Sequence, residues 1–339
     1  MNIDRIDARE VPLGAGFEAG ALPPEVLQLG VRALLGVVGE PSAAVRQLIE
    51  ALIELWRETG GQGEVAIENP SPLDPAQIAL RFVEGPLRVQ LIRVCATAIL
   101  LDRQRDLGRI NRLELLAAEL GVDEPALGDL RRWVRHQHLR LRRNLIPRLW
   151  AADELRLRAS EEGWAKVMWV AFSALILGIR ENAEVLAHYR PLAALPSDTL
   201  GGALVSQLHG SGFALPGERG SPDDWMVRHD IVHVLAGLGT DPRSEVEAGS
   251  FMAGCRQRDG FALLVFVLLQ FHCGVRVTPV APGEQGLVDP RRVLDALRRS
   301  VFMTIDPSVR AWDYEADFAE PLSMLRQRYR IGASRFAEP

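Results

Sequence analysis

Apolar residues recur at intervals of three and four along almost the whole chain. This spacing puts them on one face of a helix, so it predicts a succession of amphipathic helices. Segments 23–38 and 41–61 are examples, each with a proline near its start, where proline is tolerated best. Stretches with the apolar–polar alternation of strands are scarce. The sequence therefore predicts an all-α protein.

The 339 residues are enough for two domains. We expect an N-terminal helical bundle over residues 1–155 and a second helical domain over 160–339. The charged segment "DELRLRASEE" lies between them. In the first domain we expect a long loop over 62–77, and then three helices over 88–106, 111–121 and 124–150.

The helix expected over 124–150 has seven arginines and two histidines between Arg131 and Arg148. An arginine-rich face of this kind is typical of a solvated bundle helix. The alternative is a surface for anionic lipid or for a partner helix. Composition alone does not separate these two interpretations.

Charge and cysteine content exclude some classes of protein. The net charge of −5 argues against nucleic acid as the main partner, because phosphate binding favours a basic domain. The cysteines, Cys95, Cys255 and Cys273, are odd in number and suit a reducing compartment.

The apolar runs 165–179 and 261–271 are too short for membrane-spanning helices, so we expect them to be buried. With no signal peptide evident, a cytoplasmic protein is expected, with peripheral contact to the inner face of the membrane as an option.

The stretch "RHDIVHVLAGLGTDPRSEVE", residues 228–247, predicts a candidate metal site. His229 and His233 are four residues apart, so they share one face of the helix expected over 223–236. Gly237 or Gly239 ends that helix, one of them in the left-handed conformation. Asp241 and Pro242 have the pattern of a new helix start.

A tight hairpin between these two helices places Glu245 beside the histidines, with Asp230 adjacent. Two histidines and one glutamate form a ligand set of catalytic zinc and also of non-haem iron oxygenases. A histidine pair at this spacing also occurs in helices that bind no metal. A zincin-type peptidase is disfavoured, because Asp230 stands where those enzymes have a glutamate as general base.

The motif His229-Asp230-x-x-His233, followed after eleven residues by Glu245, resembles the metal-site signature of the ubiquinone-biosynthesis family of the Coq-four type. The flanking "LPSDTLGGAL" and the C-terminal "DPSVRAWDYEADFAEPLSMLRQRYRIG" are also similar to family segments, so the resemblance spans about 160–335. Ser244 departs from the family, which commonly has glycine before the glutamate.

This resemblance implies an all-α fold with an apolar cavity near the metal, which helices 164–179 and 261–271 could line. It implies that His229, Asp230, His233 and Glu245 bind a divalent metal, zinc in the first place and iron or manganese as alternatives. The implied reaction is oxidative decarboxylation at C1 of a polyprenylated aromatic ring. The implied partners are an isoprenoid lipid and other quinone-biosynthesis enzymes, and we also expect a homo-oligomer.

Two other functions stay open. A non-catalytic quinone- or lipid-binding scaffold would use the metal to hold the hairpin together, and its coordination sphere would be filled by protein. A metallohydrolase would cleave an ester or phosphate without oxygen.

The N-terminal half has a second resemblance. The stretch "GRINRLELLAAELGVDEPAL", residues 108–127, is similar to the signature of TerB-like domains, which are associated with tellurite resistance. That family has an aspartate just before the glycine, in an acidic metal-binding loop. Here Leu107 stands at that position and Asp106 is displaced by one residue. The resemblance therefore supports a helical bundle over about 25–150, and we do not carry over its metal binding.

Overall fold

The computed structural model describes residues 5–15, 22–67, 74–163, 181–221, 224–278 and 281–336. The helices in the first three of these ranges are α1 (Pro24–Val38), α2 (Ala43–Glu58), α3 (Pro75–Arg81), α4 (Gly85–Asp102), α5 (Leu107–Glu119), α6 (Ala126–Val134), α7 (His138–Leu145) and α8 (Trp150–Glu162). The helices in the remaining ranges are α9 (Ala183–Tyr189), α10 (Leu200–Gly210), α11 (Val227–Ala236), α12 (Pro242–Cys255), α13 (Gly260–Phe271), α14 (Pro290–Ser300) and α15 (Leu322–Arg328).

These elements confirm the all-α prediction. Apart from short 3-10 turns and loops, the described residues add one pair of two-residue strands, β1 (Ile6–Asp7) and β2 (Val122–Asp123). The strands run parallel, with Ile6 opposite Val122. They tie the N-terminus to the end of α5 and form no layer of their own.

Local capping explains where several helices begin. Ser42, Asp74, Asp106 and Asp289 precede α2, α3, α5 and α14, and each side chain accepts a hydrogen bond from a backbone N–H of the first turn. Such a bond pairs a donor that the helix itself leaves unpaired.

Two expectations for the N-terminal half are wrong. The single helix expected over 124–150 is broken, because α6 ends at Val134 and His136 adopts a left-handed backbone with a φ of +56°. The chain then restarts as α7 at His138. The last three residues of the loop expected over 62–77 belong to the first turn of α3, which Asp74 caps and Pro75 begins.

Only one of the two long apolar runs, 261–271, lies in the part of the chain that the structure describes. Residues 261–271 form most of α13, whose side chains are almost all buried, as expected. The run at 165–179 lies outside the described residues. Across the described ranges, no helix combines the length and the apolar character that crossing a bilayer requires.

Buried apolar side chains form two clusters. The larger cluster contains residues from 8–150 and from 232–303. Within it, α14 packs against α2, and α13 packs against α4. The smaller is built from residues 186–235 and 312–329. The larger cluster therefore crosses the boundary expected near 155–160, and the division into two domains stays a prediction.

A buried ion-pair network joins the same two parts of the chain. The Arg148 guanidinium donates to Asp129 Oδ2 at 2.7 Å and, through two nitrogens, to both Asp259 oxygens at 2.8 Å. Asp259 is the residue before α13. Burial raises the pKa of Asp129, although the positive charge of Arg148 opposes that shift. This arginine thereby connects the end of the N-terminal bundle to the first turn of α13.

Candidate metal centre

Helix α11 carries His229 and His233 one turn apart. The sequence favoured one acid-capped helix over 223–236, and this is wrong in detail. A 3-10 turn at Asp224–Met226 comes first, and the residue at the cap, Met226, makes no side-chain hydrogen bond to the helix. Residue 223 lies outside the described part of the chain.

The turn between α11 and α12 follows the sequence prediction closely. Gly237 ends α11 in the left-handed conformation, with a φ of +65°. Leu238 N–H then donates to the carbonyl of His233 at 2.8 Å. The Asp241 carboxylate caps α12 by accepting from the N–H groups of Arg243 and Ser244, and Pro242 occupies the first turn. This tight connection places the first turn of α12 beside the histidine face of α11.

The side chains of His229, His233 and Glu245 converge at this point. His229 Nε2 lies 3.1 Å from His233 Nε2 and 3.0 Å from Glu245 Oε2, and His233 Nε2 lies 3.4 Å from Glu245 Oε1. A tetrahedral zinc ion with bonds of about 2.0–2.1 Å holds its ligand atoms roughly 3.3 Å apart. The three side chains therefore have the spacing that one bound ion requires.

The chemistry of the donors also fits a metal. His233 Nδ1 lies 2.5 Å from the carbonyl oxygen of Gly239. A carbonyl can only accept, so Nδ1 carries the hydrogen and Nε2 presents a lone pair to the cluster. Metal-binding histidines are commonly oriented by such a bond from the other ring nitrogen. The turn that ends α11 thus also fixes the tautomer of His233.

Burial and neighbouring charges shift the pKa values of the three side chains in different directions. Burial lowers the pKa of His229, but the hydrogen bond and negative charge of Glu245 outweigh it, so the net shift is upward. Burial raises the pKa of Glu245, and the two histidines more than reverse that effect. Burial and the nearby His229 lower the pKa of His233 to about 4. The cluster thus contains one anion and one ring that stays neutral near pH 7.

The cluster is open on one side. The His233 side chain is 2% exposed, whereas those of His229 and Glu245 are 22% and 31% exposed. A ligand can therefore approach from the side of His229 and Glu245, while His233 forms the floor.

Asp230 lies outside the group of ligand atoms that approach one another within 4.8 Å, which consists of His229, His233 and Glu245. It is nevertheless close enough to affect the others electrostatically, since its charge raises the pKa of His229. Burial raises the pKa of Asp230 itself to about 6. Its role as a ligand stays a prediction.

Several residues that the sequence did not single out hold α11 in place. Arg228 is buried, donates to Glu154 Oε2 at 3.2 Å and lies over the ring of Tyr314. At the other end of the helix, Arg326 donates to the carbonyls of Leu235 and Val234, and Arg299 donates to that of Ala236. These partners are distant in sequence, so no local pattern could have indicated them.

Two further histidines, His272 and His188, have ordinary structural or surface partners. His272 is buried between the carbonyl of Leu101 and the N–H of Val288. His188 forms an exposed pair with Glu315.

The apolar cavity expected near the metal stays a prediction, but α13, one of its two expected walls, lines a cavity elsewhere. Phe261, Leu264 and Leu268 of α13 line a cavity of about 90 Å³, together with side chains of α2, α4 and α14. None of the three clustered ligand residues lines it. Helix 164–179, the other expected wall, lies outside the described residues.

Comparison of this chain with protein-family models, with curated proteins and with solved structures finds no match in any of the three.

Proposed function

We propose that the chain is a metal-dependent enzyme whose centre is formed by His229, His233 and Glu245. The observation that carries this proposal is the convergence of the three side chains. The two histidine Nε2 atoms lie 3.1 Å apart, and each faces a different oxygen of the Glu245 carboxylate, at 3.0 and 3.4 Å. Three protein ligands leave a fourth position of a tetrahedral ion free for water or substrate, as in catalytic zinc sites. Zinc is the first expectation, and iron or manganese binds the same donor types.

The protein residues define what such a centre could bind. One carboxylate and two neutral imidazoles neutralise only half the charge of a divalent ion, so an anionic oxygen ligand is favoured at the exposed side. When bound, the ion would act as a Lewis acid towards that oxygen. Gly239 keeps His233 oriented, and Arg228 anchors the helix that carries both histidines.

The proposed substrate is a prenylated aromatic acid of the hydroxybenzoate type. This part of the proposal rests on the resemblance of residues 160–335 to the Coq-four-type family. The overall reaction replaces the C1 carboxyl by hydroxyl and releases carbon dioxide, which is a two-electron oxidation of the ring. We propose that water supplies the new hydroxyl oxygen and that dioxygen accepts the two electrons and two protons and leaves as hydrogen peroxide. A membrane-borne substrate of this type implies peripheral contact with the cytoplasmic face of a membrane.

The proposal is tested by incubating the full chain, loaded in turn with zinc, iron or manganese, with a 4-hydroxybenzoate that carries a short prenyl chain. We expect oxygen-dependent formation of the decarboxylated, hydroxylated ring by mass spectrometry, and its loss in Glu245→Ala. Gln47→Ala, an exposed change on α2, is the matched control.

Other outcomes would overturn the catalytic proposal in distinguishable ways. Metal-loaded protein that retains prenylated lipid without turnover in air would favour the scaffold. Oxygen-independent cleavage of a simple ester by the same protein would favour a metallohydrolase.

A further inference from the structure

The N-terminal helices line an apolar cavity of about 180 Å³ that opens to the surface on one side. Its walls come from α1, α2 and α4, with Phe82 from the segment that follows α3. Leu34, Ile49 and Leu91 are among the apolar side chains that line it. An apolar cavity of roughly 150 Å³ is large enough to bind benzene. This cavity can therefore hold a hydrocarbon segment of about six carbons.

A second apolar cavity adjoins the first. This is the cavity of about 90 Å³ that α13 and α14 line together with α2 and α4. Leu52, Leu55, Gln90 and Val94 line both cavities, so the two cavities meet at these four side chains. The two spaces are thus neighbours within the apolar core.

The polar side chains that line the first cavity already have partners. Trp56 Nε1 donates to the carbonyl of Leu22 at 2.7 Å. Gln90 Nε2 donates to the carbonyls of Pro12 and Ala15, and Thr59 donates to that of Trp56. A ligand in the first cavity is therefore offered almost no free hydrogen-bonding group, which favours a hydrocarbon over a polar molecule.

A glycine contributes to the space in the first cavity. Gly30 lies in the interior of α1, where glycine lowers helix stability relative to alanine. A Cβ at this position would meet only Phe82 at 3.4 Å and Leu91 at 3.9 Å, which are ordinary contacts. Close packing therefore does not require glycine here, and its effect is to leave the cavity open.

The far side of the second cavity is charged. Leu55, Leu294 and Arg298 separate it from a third cavity of about 190 Å³. Half of the residues that line the third cavity are charged, namely Glu54, Arg291, Arg298 and Arg335. An apolar interior with a charged end matches a molecule that has a hydrocarbon tail and a polar head.

We propose that the two apolar cavities bind one hydrocarbon chain of a lipid, with its polar end towards Arg298. The site takes either a linear or an isoprenoid chain, and it is separate from the metal centre, since its walls contain none of His229, His233 and Glu245. It adds a lipid-binding function to the N-terminal helices, independently of the proposed reaction.

The test measures binding of decan-1-ol and of geraniol to the full-length chain by isothermal titration calorimetry. Gly30→Leu fills the first cavity, and Val94→Phe fills the space where the two cavities meet. We expect at least one alcohol to bind to the unaltered chain, and each variant to bind it at least tenfold more weakly. Gly30→Leu should melt at a temperature equal to or higher than that of the unaltered chain. Its binding result therefore still tests the proposal if Val94→Phe does not fold.

Gln47→Ala is the control on α2, and His233→Ala is the control at the metal centre. Both should bind the alcohol as the unaltered chain does. Stronger binding of decan-1-ol identifies a linear chain, and stronger binding of geraniol identifies an isoprenoid one. Unchanged affinity in folded Gly30→Leu, loss of binding in His233→Ala, or no binding of either alcohol would each overturn the proposal.

Discussion

At the residue scale, the cluster distinguishes two carboxylates that are close in sequence. Glu245 lies within 3.4 Å of both histidine nitrogens, whereas Asp230 is outside the group. We therefore expect Asp230→Asn to retain bound metal with less than a tenfold loss of affinity, and Glu245→Gln to lose far more. Competition with a chelator measures both affinities. A larger loss in Asp230→Asn would show that Asp230 is a ligand after all.

His272 makes stability depend on pH. Burial lowers its pKa below the ordinary histidine value of about 6.5. Its neutral ring donates from Nε2 to the Leu101 carbonyl at 3.0 Å and accepts at Nδ1 from Val288 N–H at 3.4 Å. A proton on Nδ1 would break the second bond.

Because the unfolded chain takes up this proton at a higher pH than the folded chain, the stabilisation from His272 is lost as pH falls below about 6.5. Glutamine can make both hydrogen bonds without titrating. We expect His272→Gln to lose less stability than the unaltered chain between pH 7 and pH 5, as measured by urea unfolding. Equal losses in the two proteins would contradict this account.

At the element scale, the cap of α12 supports the metal centre, since Glu245 lies in the turn that Asp241 caps. Asp241→Ala removes the side-chain acceptor and should lower the free energy of unfolding by about 1 kcal/mol. It should also weaken metal binding, because the first turn of α12 becomes less ordered. Asp241→Asn retains the cap and is the matched control in thermal unfolding and metal titration. Equal metal affinity in the alanine and asparagine variants would show that the cap does not support metal binding.

The elements also show what the sequence could predict. The α11–α12 hairpin was predictable because its signals are local, namely the histidine spacing, Gly237, and Asp241 with Pro242. Asp74 and Pro75 repeat that last pattern before α3, so the start of this helix is also encoded by local signals. The break at His136 was not predictable, because apolar residues recur at helical spacing on both sides of it.

At the scale of the whole molecule, contacts between residues far apart in sequence decide how the helices pack together, and local sequence patterns do not predict such contacts. Arg228 and Glu154 are 74 residues apart in sequence, and Arg148 and Asp259 are 111 apart. The larger apolar cluster likewise joins residues 8–150 to residues 232–303. Since burial of each large apolar side chain contributes about 1.5–3 kcal/mol, separation of these parts would be costly.

We therefore expect the full chain to unfold in a single transition in differential scanning calorimetry.

Arg148→Met leaves Asp129 and Asp259 without their shared partner and should destabilise the protein by about 3–5 kcal/mol. Arg156→Met, which removes an exposed pair with Asp153, is the control and should cost no more than about 1 kcal/mol. Two separate transitions, of which Arg148→Met shifts only one, would show that the halves are independent domains.

The central claim is that His229, His233 and Glu245 bind one metal ion. Elemental analysis of tag-free protein tests it most directly, with the unaltered chain compared with His233→Ala and Glu245→Ala after each has been offered zinc, iron and manganese. We predict close to one divalent ion per unaltered chain and its loss from both folded variants. An unaltered chain that is folded and remains metal-free would contradict the account.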